Sequence, residues 1–278
     1  MLTNIKKIIS NFSSKSPSNT SRVEYQNTDK EGIAKRMLIS IHLPKTAGTS
    51  FHASLDSHFG AKLFKDLNGD FGLKIKDATL FPLGQKYKLL LEASLRVAEM
   101  DWTKVECIHG HIHPIKYLLM GYKNNAKFIT WMRNPVDRAI SHYYYWKRFE
   151  STPTTALHQK MITENWSLER YCMGSEQRNL YWEMLWGYPL EYFEFIGVTE
   201  FYEDDFNYFA KHHLDSEIKA QMLNTGDSKG QPYQIDSQLR LDIEAFHDKD
   251  MCLYQRALEL RLKRIKNEHD MCITKEKR

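Results

Sequence analysis

No run of apolar residues in this sequence approaches the roughly 18 needed to cross a bilayer as a helix, so the expected product is a soluble protein. Cysteine is scarce. The four present, Cys107, Cys172, Cys252 and Cys272, show no CxxC spacing, which argues against both a disulfide framework and a four-thiolate zinc site and reads as reduced thiols. Charge of one sign is nearly absent in the balance: at a net +4 the whole-molecule field is weak, nucleic acid binding is not indicated, and any anion site must be built from locally placed Lys, Arg and backbone N–H groups. The N-terminus carries Lys6 and Lys7 but lacks an apolar core with a small-residue cleavage site, so no secretory signal is read and a cytoplasmic location is expected. Leu2, Ile5, Ile8, Ile9 and Phe12 do share one helical face beside those lysines, a pattern that fits peripheral membrane contact through residues 1–12 as well as the commoner frayed terminus.

What remains is an ordinary globular composition, 42% hydrophobic and 27% charged, without internal repeats or a mid-chain linker. Residues 1–36 read as a flexible leader, 37–265 as one domain and 266–278 as a charged tail. Within the domain, Met37–Leu43, Val105–His109, Ala126–Trp131 and Phe193–Val198 read as buried strands alternating with amphipathic helical stretches, the pattern of an α/β fold with a parallel sheet between layers of helices. Met251, Tyr254, Leu258 and Leu262 recur at helical spacing and predict a last helix buried through that face, with Asp248 as its N-cap.

The most informative segment is Ile39 to Ser50, a strand running into a tight turn and then a helix predicted to begin near Thr49. Pro44, Lys45, Thr46, Ala47, Gly48, Thr49 and Ser50 offer a mobile cation, a glycine for close backbone approach and three hydroxyls beside a helix N-terminus, which together suit a phosphate. The usual triphosphate loop GxxxxGK[ST] would need glycines at 39 and 44, where Ile39 and Pro44 stand. An ordinary strand-to-helix turn is the alternative.

A second strand, Ala126–Met132, delivers Arg133-Asn134-Pro135 at its end, with Pro135 suited to the first helical position and Ser141 about two turns further on. Arg133 and Ser141 are therefore a second candidate phosphate site at the same sheet edge, unless Arg133 is a surface ion-pair residue.

Taken together, the two segments resemble the PAPS-dependent carbohydrate sulfotransferases, in particular their 2-O-sulfotransferase-like branch (PAPS is 3′-phosphoadenosine-5′-phosphosulfate). Pro44–Ser50 is similar to that family's 5′-phosphosulfate loop and Arg133 with Ser141 to its 3′-phosphate motif; Phe195–Glu200 and Asp250–Tyr254 resemble its late strand and final helix. The resemblance covers roughly 37–262. It implies a three-layer P-loop-like fold, PAPS as donor and PAP as product, no required metal, and a carbohydrate or glycoconjugate hydroxyl as acceptor. Two departures stand out: Ala47 occupies a position where many relatives have glycine, and Gln177-Arg178-Asn179-Leu180 follows the family pattern only loosely.

Sulfuryl transfer to an alcohol requires the hydroxyl proton to leave, which suits a side chain that titrates near neutrality. His109-Gly110-His111 resembles the family's catalytic histidine segment, and the resemblance implies His111 as base with His109 in reserve and Lys45 assisting the leaving phosphate. Two other readings stay open: zinc held by His109, His111 and His113 on one face of a continued strand, and hydrogen-bonded structural histidines. Tyr143–Trp146 and the aromatics from Tyr181 to Tyr192 fit the core better than sugar stacking, and Arg148, Arg170 and Arg178 are unremarkable candidates for an acidic acceptor. A kinase or NTPase, which would need a magnesium carboxylate near the loop, and a silent nucleotide- or glycan-binding module are the rivals.

Overall fold

The computed structural model describes residues 37–66, 83–216 and 233–276; the leader, including the apolar face of residues 1–12, lies outside the described residues. Five short strands, β1 Leu38–Ile41, β2 Leu63–Asp66, β3 Cys107–Gly110, β4 Lys127–Met132 and β5 Phe195–Val198, form one sheet in the order β2-β3-β1-β4-β5. Every pairing is parallel. The fold is thus the expected α/β arrangement, a parallel sheet with helices on both faces.

Strand sequence explains the layering. In β1, Leu38 joins a core with Phe51, Leu55, Phe206 and Phe209 on one face, while Ile39 and Ile41 join Tyr117, Met120, Tyr254 and Ala257 on the other. Ile129 and Trp131 of β4 face the first core, Phe128 and Met132 the second, so alternate residues feed opposite layers. The helices in those cores are α1 Gly48–Phe59 and α8 Tyr202–His213 on the first face, α3 Pro114–Lys123 and α10 Asp248–Glu276 on the second. Between them in sequence lie α2 Leu83–Ala98, α4 Pro135–Arg148, α5 Ala156–Thr163, α6 Leu168–Cys172, α7 Leu180–Met184 and α9 Ser237–Phe246.

The edge strand β2 escaped sequence reading because it is four residues long and half polar, Leu63-Phe64-Lys65-Asp66. Its closing Asp66 is buried against the Lys116 ammonium and accepts from the Tyr117 hydroxyl at 2.8 Å, which ties α3 to the sheet edge. Neighbouring Gly110 allows the approach, since a Cβ there would lie 2.1 Å from the Asp66 carbonyl oxygen.

The last helix corrects two expectations. Leu262 is 64% exposed, and the buried row is instead Asp250, Tyr254, Ala257 and Arg261. Apolar periodicity misplaces this face because it is anchored by charges: Asp205 of α8 accepts from Arg261 Nε at 2.9 Å, Arg264 Nη2 at 2.6 Å and the Val198 backbone N–H at 2.8 Å. Asp248 is the first helical residue rather than the cap; His247 precedes the helix, its carbonyl accepting from Met251 N at 2.9 Å, while Asp248 accepts from the Asn179 amide at 3.1 Å.

Because Asp205 joins α8, β5 and α10, removing its carboxylate strands two guanidinium groups and a strand N–H. Asp205→Ala is expected to lower global stability by about 3–5 kcal/mol, read from urea denaturation midpoints; a change under about 1 kcal/mol would show that the ion cluster is incidental.

Candidate active site

In a parallel sheet of this order the connection leaving β1 runs toward β2 and the one leaving β4 runs toward β5, so the chain diverges between two adjacent strands. The crevice beyond their carboxyl ends is where ligands bind in such sheets. Lys45 lies just past β1 and Arg133 directly follows β4, which puts both on this crevice.

The end of β1 is fixed from both sides. Thr130 Oγ1 donates to the Ile41 carbonyl at 2.9 Å, and His42 N donates to the Gly110 carbonyl at 2.8 Å. The chain then turns with Lys45 at φ 66° and Ala47 at φ 60°, while Thr46 between them is not left-handed. Alternating handedness of this kind turns successive N–H groups toward a common point. The left-handed Ala47 also gives a reason why glycine suits the position in related loops. Helix α1 begins at Gly48, one residue before the expected start, and no side chain caps it, so its first-turn N–H groups add their partial charge to the loop. Thr46 is fully buried and donates its hydroxyl to the Leu43 carbonyl at 2.8 Å, holding the turn; only its backbone N–H is left to face an anion. Ser50 is buried and Thr49 exposed, with Pro44 partly buried at the loop's entry.

Lys45 rests with its ammonium 4.0 Å from the centre of the Tyr145 ring. Its pKa is lowered to about 8, chiefly by burial and then by the positive charges of Arg133 and Arg148. Helix α4 starts as expected, with Pro135 in the first turn; Asn134 Oδ1 accepts from Val136 N at 3.0 Å and Asp137 N at 3.3 Å. Ser141 is buried on the same helix.

The histidines separate into roles. His111 Nδ1 lies 2.8 Å from the His42 carbonyl oxygen; since a carbonyl only accepts, Nδ1 carries the proton and the neutral ring keeps its lone pair at Nε2. His109 is 1% exposed, pairs with Ser40 Oγ at 2.9 Å, and its pKa falls to about 3, first through burial and then through nearby His52 and His111. Such a ring takes up a proton poorly at neutral pH. His113 is buried, donating from Nδ1 to the Met184 carbonyl at 3.0 Å. Among the described residues no three His, Cys, Asp or Glu side chains are grouped to hold a metal ion.

Sequence reading passed over His42, which looks like one more strand residue. Its ring stacks on His111 at 4.1 Å between centroids and on His109 at 5.2 Å, and burial followed by those two imidazoles holds its pKa well below the usual histidine range. The same ring fills the space above Gly48, where a Cβ would come within 1.6 Å of His42 Nε2. Glycine at 48 thus serves the histidine stack as well as the loop. Arg138 was also missed. It is fully buried on α4, 5.9 Å from the Tyr181 ring centre, and among the described residues none of its three guanidinium nitrogens has a hydrogen-bond partner.

The aromatics divide. Tyr143, Trp146, Tyr181 and Tyr188 are core residues as expected, whereas Tyr144 and Tyr145 are exposed, Tyr145 beneath Lys45. Of the three arginines considered for an acceptor, Arg170 is paired with Glu176 at 3.0 Å and Arg178 donates to the Phe246 carbonyl at 3.2 Å; only Arg148 neighbours Lys45.

Comparison with known families adds an independent finding. Residues 73–195 match the family described as "Sulfotransferase domain", a span that includes His109, His111, Arg133 and Ser141 but not the loop at 44–50. No curated protein matches the chain. The domain match covers under half the sequence and supports the sulfotransferase superfamily and sulfuryl transfer in general.

Gly48→Ala is expected to force the His42 ring aside at a cost of about 1–3 kcal/mol in unfolding free energy. In imidazole NMR spectra the His42 and His111 signals should move together while those of His158 and His247 stay; unmoved His111 signals would show the stack to be passive.

Proposed function

We propose that this protein transfers a sulfuryl group from PAPS to a hydroxyl of a carbohydrate or glycoconjugate acceptor. What carries the donor assignment is the placement of Lys45 just past β1 and of Arg133 directly after β4, at the point where the connections from these adjacent strands diverge. Two cationic stations flanking one crevice suit a nucleotide with phosphates at both its 5′ and 3′ positions. Residues 44–50 take the 5′-phosphosulfate through loop and helix N–H groups, with Lys45 swinging from Tyr145 onto the bridging phosphate oxygens. Arg133 and Ser141 take the 3′-phosphate.

In the transfer the acceptor oxygen forms a bond to sulfur as the bond from sulfur to the 5′-phosphate oxygen breaks, and PAP leaves. His111 Nε2 accepts the hydroxyl proton, its Nδ1–H kept in place by the His42 carbonyl. Charge growing on the departing phosphate is met by Lys45 and the loop N–H groups, cationic and dipolar groups already placed before the reaction. The scheme requires no metal ion. A carbohydrate as the acceptor rests on the resemblance of the loop, Arg133 and histidine segments to carbohydrate sulfotransferases; a single domain over 37–265 is part of the same proposal.

Thermal-shift titration with PAP, ATP and ADP in parallel tests the donor: PAP should raise the melting temperature most, and equal shifts for all three would defeat the assignment. Donor affinity has a pH signature. Lys45 is protonated below about pH 8 and loses its charge above it, so PAP affinity should hold at pH 7 and decline from pH 8 to 9.5, with proton uptake on binding near pH 8. In Lys45→Arg, which stays charged, calorimetry should find that decline abolished. His111→Ala should retain PAP binding while kcat drops by roughly 10²–10⁴-fold; unchanged turnover would remove His111 from the chemistry.

A further inference from the structure

Arg133 stands on a turn whose backbone could not hold itself. Between the end of β4, where Met132 still pairs with Val198, and the first turn of α4 the chain leaves the sheet, and the groups Arg133 N–H, Arg133 C=O and Asn134 N–H lie outside the strand and helix ladders. Each is instead met by a side chain from the later part of the sequence. The Met132 carbonyl accepts from Thr199 Oγ1 at 3.0 Å. The Tyr181 hydroxyl donates to the Arg133 carbonyl at 2.9 Å and accepts from the Arg133 N–H at 3.2 Å. Glu200 Oε1 accepts from the Asn134 N–H at 2.7 Å.

Tyr181 is itself fixed. It is fully buried at the start of α7, and Asp250 of α10 accepts the Tyr181 N–H at 3.1 Å and the Trp182 N–H at 2.9 Å. The phenol oxygen therefore reaches Arg133 from a helix end that a buried carboxylate holds in place.

We infer that Tyr181, Thr199 and Glu200 form a clamp that aims the Arg133 guanidinium, with Tyr181 as its central positioning residue. The inference rests on the donor reading above for the identity of the ligand, but the clamp is a statement about the turn. Its purpose in that reading is selectivity: a guanidinium on a rigid turn rewards a phosphate only where the 3′ substituent sits, and a loose one does not distinguish nucleotides with and without it. None of the three clamp side chains needs to touch the donor. The assignment also accounts for why Thr199-Glu200 and the Asp250 region stand where they do, far in sequence from Arg133 and adjacent to it in space.

The experiment compares wild type with Tyr181→Phe and Thr199→Val, and with Thr199→Ser as the conservative control. Binding of PAP and of AMP, which lacks the 3′-phosphate, is measured by calorimetry, and backbone amide exchange at residues 133 and 134 by NMR. In Tyr181→Phe the affinity for PAP should fall roughly tenfold, the scale of one hydrogen bond lost from a buried group, while AMP affinity stays, so the PAP-to-AMP ratio collapses. The Arg133 amide should exchange faster while Asn134, still held by Glu200, exchanges as before. Thr199→Val should lower the ratio and Thr199→Ser restore it. Unchanged Arg133 exchange in folded Tyr181→Phe would overturn the clamp, as would equal loss of PAP and AMP affinity. If wild type binds neither nucleotide, the donor reading falls, and amide exchange still decides the clamp.

Discussion

The parallel pairing of β1 with β4 is the constraint on which the site depends. With Leu38 to Ile41 set against Lys127 to Thr130, the two strands end nearly level, and the residues that follow each must share one edge of the sheet. Position at that edge is all that Lys45 and Arg133 have in common, being far apart in sequence. A register slip by one residue would also exchange the faces of alternating side chains, sending Ile39 or Ile129 into the core its shape does not fill, so the hydrophobic layers that stabilise the fold fix the site's spacing as well. Thr130 reinforces this with its hydroxyl on the Ile41 carbonyl, at the last point before the loop departs.

From that edge the chemistry follows through hydrogen bonds that allow only one direction. The His42 carbonyl can only accept, so it sets which nitrogen of His111 is protonated; the His42 ring, lying between His111 and Gly48, connects the imidazole to the phosphate loop by contact alone. Burial makes His42 and His109 poor bases, which keeps positive charge out of the stack and lets them serve as neutral walls. A cluster of imidazoles thus needs no metal and no acid partner to be ordered. It needs one carbonyl, one serine hydroxyl and a glycine.

Much of this was legible from residue order. Four of the five strands, the loop, the turn at Arg133 and the helix opened by Pro135 each carry local signals: apolar runs bounded by turn residues, a glycine, a proline at the first helical position. What was not legible depended on contacts distant in sequence. The edge strand β2 is too short and too polar for its pattern to show, and acquires its meaning from Asp66 meeting Lys116 and Tyr117. The buried face of α10 was misread because Arg261 and Asp250 look like surface residues until Asp205 and the α7 N-terminus supply partners. His42 reads as part of a strand until the fold stacks it on a histidine 69 residues away. Thr46 reads as an anion donor until its hydroxyl is found turned inward.

Several ionisable groups near this edge carry the cost of burial. Burial and the positive charges of Arg133 and Arg148 together loosen the Lys45 proton. Arg138 is fully buried, its guanidinium without a hydrogen-bond partner among the described residues, and Asp250 has its pKa pushed up to about 6 by burial even though Arg138 and three backbone N–H groups favour its charged form. Cations held near one another with little solvent favour whatever brings negative charge to them. On the proposed reading, a ligand that carries charge at two separated points engages Lys45 beyond β1 and Arg133 beyond β4 at once. In that proposal the crevice between the two strands recognises where a ligand's charges are placed as well as how many it has.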